Sequence, residues 1–145
     1  VGTRDYCGSS MILIEESLEG HVIWPAFILK TVFTAIALGG GYKGGEIVPT
    51  LCVGACFGAA LGTIIGFNPP LMAACGMIGL FAAVTNCPIA SILLGVELFQ
   101  GVGLSYFSVI VSLTYTLSGY YSLYASQTFV YSKLKNEFVN RMSNK

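Results

Sequence analysis

Between Ile47 and Ser132 the chain carries a single charged side chain, Glu97, in 86 consecutive residues. A soluble domain has about a quarter of its residues charged, because most of its exterior must interact with water. A run this poor in charge instead predicts several membrane-embedded segments in succession. The formal net charge of the chain is zero. This argues against nucleic acid as a partner, since a nucleic-acid binder needs a basic face to neutralise phosphates.

The apolar segments of the chain are short and are separated by glycine, proline and asparagine. The pattern predicts one interfacial amphipathic helix and then a series of apolar helices, over residues 11–18, 22–38, 47–66, 71–85, 89–99 and 104–118. At about 1.5 Å per residue, the last three are marginal or too short to cross a hydrocarbon core roughly 30 Å thick. Helices that stop within a bilayer need protein or a water-filled cavity at their ends, and transporters build ion sites from such broken helices.

Glycines recur every four residues along the 47–66 segment, at Gly54, Gly58, Gly62 and Gly66. Residues spaced by four lie on the same face of a helix. A stripe of small residues lets the backbone of a second helix approach closely in a membrane. We therefore predict that these glycines serve helix packing rather than chemistry.

The chain offers few groups for catalysis or metal binding. It has one histidine and five cysteines, and the cysteines form no CxxC pair. Metal sites and hydrolytic sites need clusters of such groups or paired carboxylates. We expect no metal, no cofactor and no enzymatic function, and a membrane enzyme is the least favoured class.

The junction Gly44-Gly45-Glu46-Ile47-Val48-Pro49 is the best candidate for a functional site. Glycines let the backbone come close to a ligand, and the helix that follows presents unpaired N–H groups with a partial positive end. Such a helix start binds an anion without a lysine. The alternative is that Gly44 and Gly45 only permit a tight turn between two helices.

Three features in order resemble a known family. They are the Gly-Gly-x-x-x-Pro junction that opens an uncharged glycine-rich helix, the segment from Asn86-Cys87-Pro88 to Glu97, and the pair Leu123-Tyr124. Together they resemble the C-terminal half of CLC chloride channels and proton/chloride exchangers. The resemblance extends from about Met11 to about Lys135.

The resemblance implies an all-α polytopic membrane protein, the second half of an inverted-repeat fold with short, broken and tilted helices. Residues 1–132 are then a fragment of the membrane domain, and residues 133–145 are a polar tail. The tail is mostly basic, which favours a cytoplasmic location by the positive-inside rule. A homodimer is also implied, with its interface on residues 89–99 and 104–118, and the missing N-terminal half becomes a partner.

The implied function is transmembrane transport of chloride, as a channel or a proton/chloride antiporter of the cell membrane. The backbone amides of Glu46 and Ile47 would hold the anion, and the hydroxyl of Tyr124 would donate to the same ion. Amide and phenol donors replace part of the anion's hydration without a fixed charge that would trap it. The family usually has Phe at the position of Ile47. Glu97 is assigned a structural role in capping or pairing, and the gating glutamates are expected outside this chain.

Two other functions stay open. One keeps the family and changes the ion or the mode, to a fluoride/proton exchanger or a passive channel. The other is a non-transporting membrane scaffold, with the glycine stripe as its assembly surface. The scaffold would be favoured if the amides of Glu46 and Ile47 were already bonded to protein, because no donor would then remain for an anion.

Overall fold

The structure is a computed structural model that describes residues 10–20, 25–41, 45–124, 126–135 and 137–143. The chain forms helices followed by a short antiparallel sheet. The elements are α1 (Met11–Leu18), α2 (Ala26–Gly39), α3 (Ile47–Ile65), α4 (Pro69–Thr85), α5 (Pro88–Leu98), α6 (Leu104–Leu117), β1 (Thr128–Tyr131) and β2 (Phe138–Met142). The predicted all-α fold class is confirmed, with the small sheet as an addition.

Prolines explain most of the differences between the predicted and the observed helix bounds. The sequence analysis treated Pro69, Pro70 and Pro88 as turn residues, whereas α4 begins at Pro69 and α5 at Pro88. Proline is well placed in a first helical turn, because its missing N–H would have no intrahelical partner there. α2 begins at Ala26, directly after Pro25. Part of the predicted 22–38 segment, residues 22–24, lies outside the described residues.

α3 is long and apolar enough to cross a membrane, judged by length and composition, and it is the one such helix in the described part of the chain. The other apolar helices have between 10 and 17 residues. This agrees with the sequence analysis, which predicted several segments too short for an ordinary span. The described residues form two compact units, Val1–Met77 and Ile78–Lys145, divided within α4.

The first unit is built around α3, which packs against both α1 and α2. Small side chains, including Cys52, Ala55 and Ala59, are fully buried on α3. Lys30 of α2 is 3% exposed, and its Nζ donates a hydrogen bond of 2.7 Å to the Oγ of Ser10. A lysine within an apolar helix therefore faces protein.

The glycine stripe of α3 lies against the first half of α4 at backbone distance. A Cβ added to Gly54 would lie 2.6 Å from the carbonyl oxygen of Gly76, and one added to Gly62 would lie 2.9 Å from the Cβ of Met72. A Cβ on Gly58 would overlap the carbonyl oxygen of Met72. Since real Cβ atoms do not approach this closely, the contact requires glycine at these positions.

Gly66 differs from the other glycines that the sequence analysis placed in the stripe. It is the C-cap of α3, with φ 76° and ψ 21°, and its amide donates to the carbonyl of Gly62. An added Cβ would meet none of the described residues within 4 Å. Its four-residue spacing coincides with the stripe, but in the structure the residue ends the helix in the left-handed conformation that glycine favours.

The second unit has its core where α5 meets α6. Phe107 of α6 is 1% exposed, and its ring lies 5.4 Å from the ring of Phe99. A Cβ added to Gly95 of α5 would lie 3.0 Å from Phe107. The opposite faces of α5 and α6 expose large apolar side chains, among them Ile89, Leu93, Val109, Leu113 and Leu117.

The end of the chain forms an antiparallel hairpin that the sequence analysis did not predict. β1 pairs with β2 in the register Thr128 with Met142 and Phe129 with Arg141. The sequence analysis expected residues 133–145 to be a polar tail, because it weighed their charges and not the strand-forming residues between them. Aromatic and β-branched residues favour strands on both sides of the turn. The rings of Tyr131 and Phe138 pack edge to face at 5.8 Å.

Candidate functional site

The predicted anion site begins at the first turn of α3. Ile47 is the first helical residue and Glu46 is the N-cap. The carbonyl oxygen of Glu46 accepts hydrogen bonds from the amide of Thr50 at 3.2 Å and from its Oγ1 at 2.7 Å. The Glu46 side chain makes no capping hydrogen bond. Thr50 is therefore the first residue whose N–H donates within the helix. The N–H groups before it have no acceptor within the helix.

Those amides, on Glu46, Ile47 and Val48, donate no hydrogen bond to any residue that the structure describes. Pro49 has no N–H. Three N–H groups therefore meet at the positive end of a 19-residue helix. This arrangement attracts an anion by hydrogen bonding and by the helix dipole. Among the described residues, these amides make none of the bonds to protein that would favour the scaffold alternative.

The backbone before this helix start is open. Gly45 is exposed, and a Cβ added to it would meet nothing within 4 Å among the described residues. Packing against the described residues therefore does not explain the glycine at this position, in contrast to Gly58. The Ile47 side chain is 39% exposed. Gly44, the other glycine of the predicted loop, lies outside the described residues.

Tyr124 lies in the second unit, in the segment between α6 and β1. Its side chain is 46% exposed, and its hydroxyl makes no hydrogen bond with the described residues. The hydroxyl of Tyr120, in contrast, is 3.0 Å from the Oγ of Ser132, and the Tyr120 ring packs on Phe129. Of these two tyrosines, Tyr124 has the hydroxyl that is available to a ligand.

The backbone around Tyr124 is attached to the end of α4. The amide of Leu123 donates to the carbonyl of Val84 at 2.9 Å. The Oγ of Ser122 donates to the Oε1 of Gln127 at 2.5 Å, and the carbonyl of Thr85 lies 3.4 Å from the same Oγ. The amide of Tyr124 donates to the Oγ of Ser122 at 3.3 Å. The bond from Leu123 to Val84 joins residues far apart in sequence, and sequence reasoning did not predict it.

Asn86 and Lys133 lie beside this segment, and sequence reasoning did not select either as a site residue. Asn86 is 4% exposed and adopts φ 54°, and its Nδ2 donates to the carbonyl of Tyr121. Its Oδ1 accepts a hydrogen bond from the Nζ of Lys133. The sequence held one signal, since asparagine tolerates the left-handed conformation and occurs here just before a Cys-Pro pair.

The remaining candidates take no part in these contacts. Glu97 is exposed near the end of α5 and makes no hydrogen bond or ion pair with the described residues, so its structural role stays a prediction. No group of His, Cys, Asp and Glu in the described part of the chain could hold a metal ion. The candidate donors in the described part of the chain are therefore the backbone amides at the start of α3, in the first unit, and the hydroxyl of Tyr124, in the second.

Known proteins match the chain in sequence. The profile of the voltage-gated chloride channel family matches residues 3–119. The chain is 35% identical over 128 residues to the chloride/fluoride channel protein of Pseudomonas syringae pv. tomato, a match that covers 88% of this chain and 28% of that protein. It is 32% identical over 102 residues to the H(+)/Cl(-) exchange transporter ClcA of Vibrio parahaemolyticus, covering 63% of this chain and 22% of that protein.

A solved structure matches the fold. The chain is similar to the crystal structure of a CLC-type fluoride/proton antiporter, with a TM-score of 0.78 and 31% sequence identity, covering 83% of this chain and 31% of that chain. It thus spans less than a third of the length of each of these relatives. The family profile matches most of the chain, and the helices match a family fold. We conclude that this chain belongs to the voltage-gated chloride channel family, the CLC family, as its motifs indicated.

Proposed function

We propose that this chain is the C-terminal half of a CLC transporter that moves chloride across the cell membrane. The observation that supports the proposal is the set of amides at the start of α3, on Glu46, Ile47 and Val48, that donate to none of the described residues. Hydrogen-bond donors at a helix start bind an anion reversibly, because they carry no full charge that would hold it. The hydroxyl of Tyr124 is the second donor.

The scarcity of charge supports this mode of binding. From Ile47 to Ser132 the only charged side chain is Glu97, and it is exposed near the end of α5. No lysine or arginine in that run is available to neutralise a bound anion. The ion is therefore held by dipoles, which replace part of its hydration shell and release it again.

Fluoride/proton exchange is the second candidate function. It is favoured by the match to the crystal structure of a CLC-type fluoride/proton antiporter and by the 35% identity to a chloride/fluoride channel protein. Ile47 also departs from the Phe that the family usually has at this position, which leaves the choice of ion open. Either ion would use the same amides, since both accept N–H hydrogen bonds.

The proposal includes the assembly in which the chain works. Members of this family are membrane proteins, and we place this chain as a multi-pass segment with its C-terminal end in the cytoplasm. An N-terminal half completes the pathway and supplies the glutamates for proton exchange. A second copy covers the apolar faces of α5 and α6, where Leu93 is 62% and Val109 is 62% exposed.

Ion efflux from proteoliposomes tests the proposal. The complete transporter that contains this chain is reconstituted and loaded in turn with chloride and with fluoride, and efflux is followed with ion-selective electrodes and a pH electrode. Efflux of chloride supports the main proposal, and efflux of fluoride with proton uptake supports the second. Efflux of neither ion above protein-free vesicles would leave the scaffold as the better account.

A further inference from the structure

Lys133 lies in the turn between β1 and β2, and its ammonium group enters a cage of oxygens and aromatic rings. Its Nζ donates to the carbonyl of Tyr115 at 2.9 Å, to the Oγ of Ser118 at 3.0 Å, and to the Oδ1 of Asn86. It also lies 4.0 Å from the centroid of the Tyr115 ring and 5.4 Å from that of Phe129. We name the four residues around the ammonium, Asn86, Tyr115, Ser118 and Phe129, the Lys133 cage.

The cage stabilises a charged lysine without an acidic partner among the described residues. Burial lowers the pKa of Lys133 from its ordinary value of 10.5. Three oxygen acceptors and two ring faces offset that loss of hydration, since each interacts favourably with a cation. A lysine that served only solubility would extend into water. The side chain of Lys133 instead joins the end of α6 to the junction between α4 and α5.

The donors at the Oδ1 of Asn86 determine which way its amide points. They are the Nζ of Lys133 and the Oγ of Ser118, at 3.0 Å, which itself accepts from Lys133. An ammonium group has only donors, so it selects the oxygen of the Asn86 amide and not the nitrogen. The nitrogen is then directed to the carbonyl of Tyr121, to which it donates. With the amide reversed, two oxygens would face each other at Tyr121, and a buried acceptor would lose its donor.

The carbonyl of Tyr121 begins the segment that carries Tyr124. The amide of Leu123 donates to the carbonyl of Val84, in the last turn of α4 and two residues before Asn86. The Oγ of Ser122 accepts the amide of Tyr124. The chain of contacts from the Lys133 ammonium to the Tyr124 backbone is therefore continuous, and every member lies in the second unit.

We propose that Lys133 is a positioning residue for Tyr124, acting through the Asn86 amide. The ammonium orients Asn86, Asn86 fixes the carbonyl of Tyr121, and residues 121–124 then hold the phenol in one direction. This inference rests on the proposed function only for the role of Tyr124 in anion binding. The placement of the ring is a separate property and is measured separately.

Fluorine NMR measures that placement. Fluorotyrosine is introduced at position 124 alone in the complete transporter. Lys133→Met removes the ammonium, and Asn86→Asp keeps an oxygen for Lys133 while removing the donor to Tyr121. Both variants are expected to shift or broaden the resonance. Lys135→Met is the matched control, because Lys135 is an exposed lysine in the same turn, and it is expected to leave the resonance unchanged.

Anion affinity provides the second measurement, through a double-mutant cycle. Tyr124→Phe is expected to weaken binding about tenfold and Lys133→Met about 3- to 10-fold. If Lys133 acts through the Tyr124 hydroxyl, adding Lys133→Met to Tyr124→Phe causes no further loss. Independent effects that multiply would overturn the inference, because a lysine with a purely structural role would weaken both backgrounds equally.

The two measurements separate this inference from the proposed function. If neither Lys133→Met nor Asn86→Asp changes the resonance, Lys133 does not position Tyr124, whatever the affinities are. Native affinity in Tyr124→Phe contradicts the role of the phenol in anion binding, and a shifted resonance then still supports positioning. If Lys133→Met does not yield folded protein, Asn86→Asp decides, because it leaves the ammonium in its cage.

Discussion

Replacing the backbone amide of Ile47 by an ester removes one N–H donor from the start of α3 without changing a side chain. The α-hydroxy analogue of isoleucine is introduced at position 47 of the complete transporter. The N–H of Ile47 donates to no described residue, and the first intrahelical bond of α3 runs from Thr50 to Glu46. The ester therefore deletes no hydrogen bond of the described fold and only weakens the Glu46 carbonyl as an acceptor.

The structure sets the size of the expected effect. A hydrogen bond to a charged group contributes about 1.5–3 kcal/mol, and each 1.4 kcal/mol, roughly, is a factor of ten in affinity. The amides of Glu46 and Val48 remain and take over part of the interaction with the ion. We therefore expect the lower end of that range, a loss of about tenfold in anion affinity. The melting temperature of the transporter is expected to fall only slightly, because the ester weakens the Glu46 carbonyl as an acceptor for Thr50.

Ile89 provides a matched control. It also lies in the first turn of a helix, after Pro88, and the first backbone bond there runs from Ser91 to Cys87 at 3.0 Å. An ester at Ile89 uses the same hydroxy acid and removes another first-turn N–H. Anion affinity is measured for both variants by isothermal titration calorimetry. Equal affinity in the Ile47 ester and the native protein would refute the assignment of this amide to the anion.

Further predictions concern single side chains. Tyr124→Phe is expected to lower anion affinity about tenfold at unchanged melting temperature, whereas Tyr120→Phe, which removes a bonded hydroxyl, lowers the melting temperature and spares affinity. Gly58→Ala is expected to destabilise the protein by about 1–3 kcal/mol or more, through overlap with α4, in thermal unfolding. Gly45→Ala is expected to spare stability and weaken anion binding, and equal unfolding of both alanine variants would contradict this. Leu93→Lys is expected to convert dimers to monomers by light scattering.

The sequence predicted the helices well because hydrophobic patterning and caps are local. α1 spans the predicted 11–18, and α3 begins at the predicted Ile47. The hairpin was missed because the charges between Ser132 and Lys145 outweighed a weak strand pattern. Gly66 was grouped with the stripe because spacing alone does not distinguish a packed glycine from a C-cap.

The candidate site also has a part that could be predicted from the sequence and a part that could not. The helix start at Glu46 and Ile47 was predictable, because glycines followed by an apolar run with an early proline mark a helix N-terminus. The Lys133 cage was not predictable, because its hydrogen bonds join residues 47 and 18 positions apart in the chain. No periodicity or spacing rule connects a lysine in a charged segment to an asparagine between two apolar helices.

Anomalous diffraction from crystals of the complete transporter soaked in bromide tests the central claim most directly. Bromide replaces chloride and is identified by its own scattering. The proposal predicts a peak at hydrogen-bond distance from the amide nitrogens of Glu46 and Ile47, at the start of α3. Amides bonded to protein atoms, with the bromide peak elsewhere in the pathway, would contradict it.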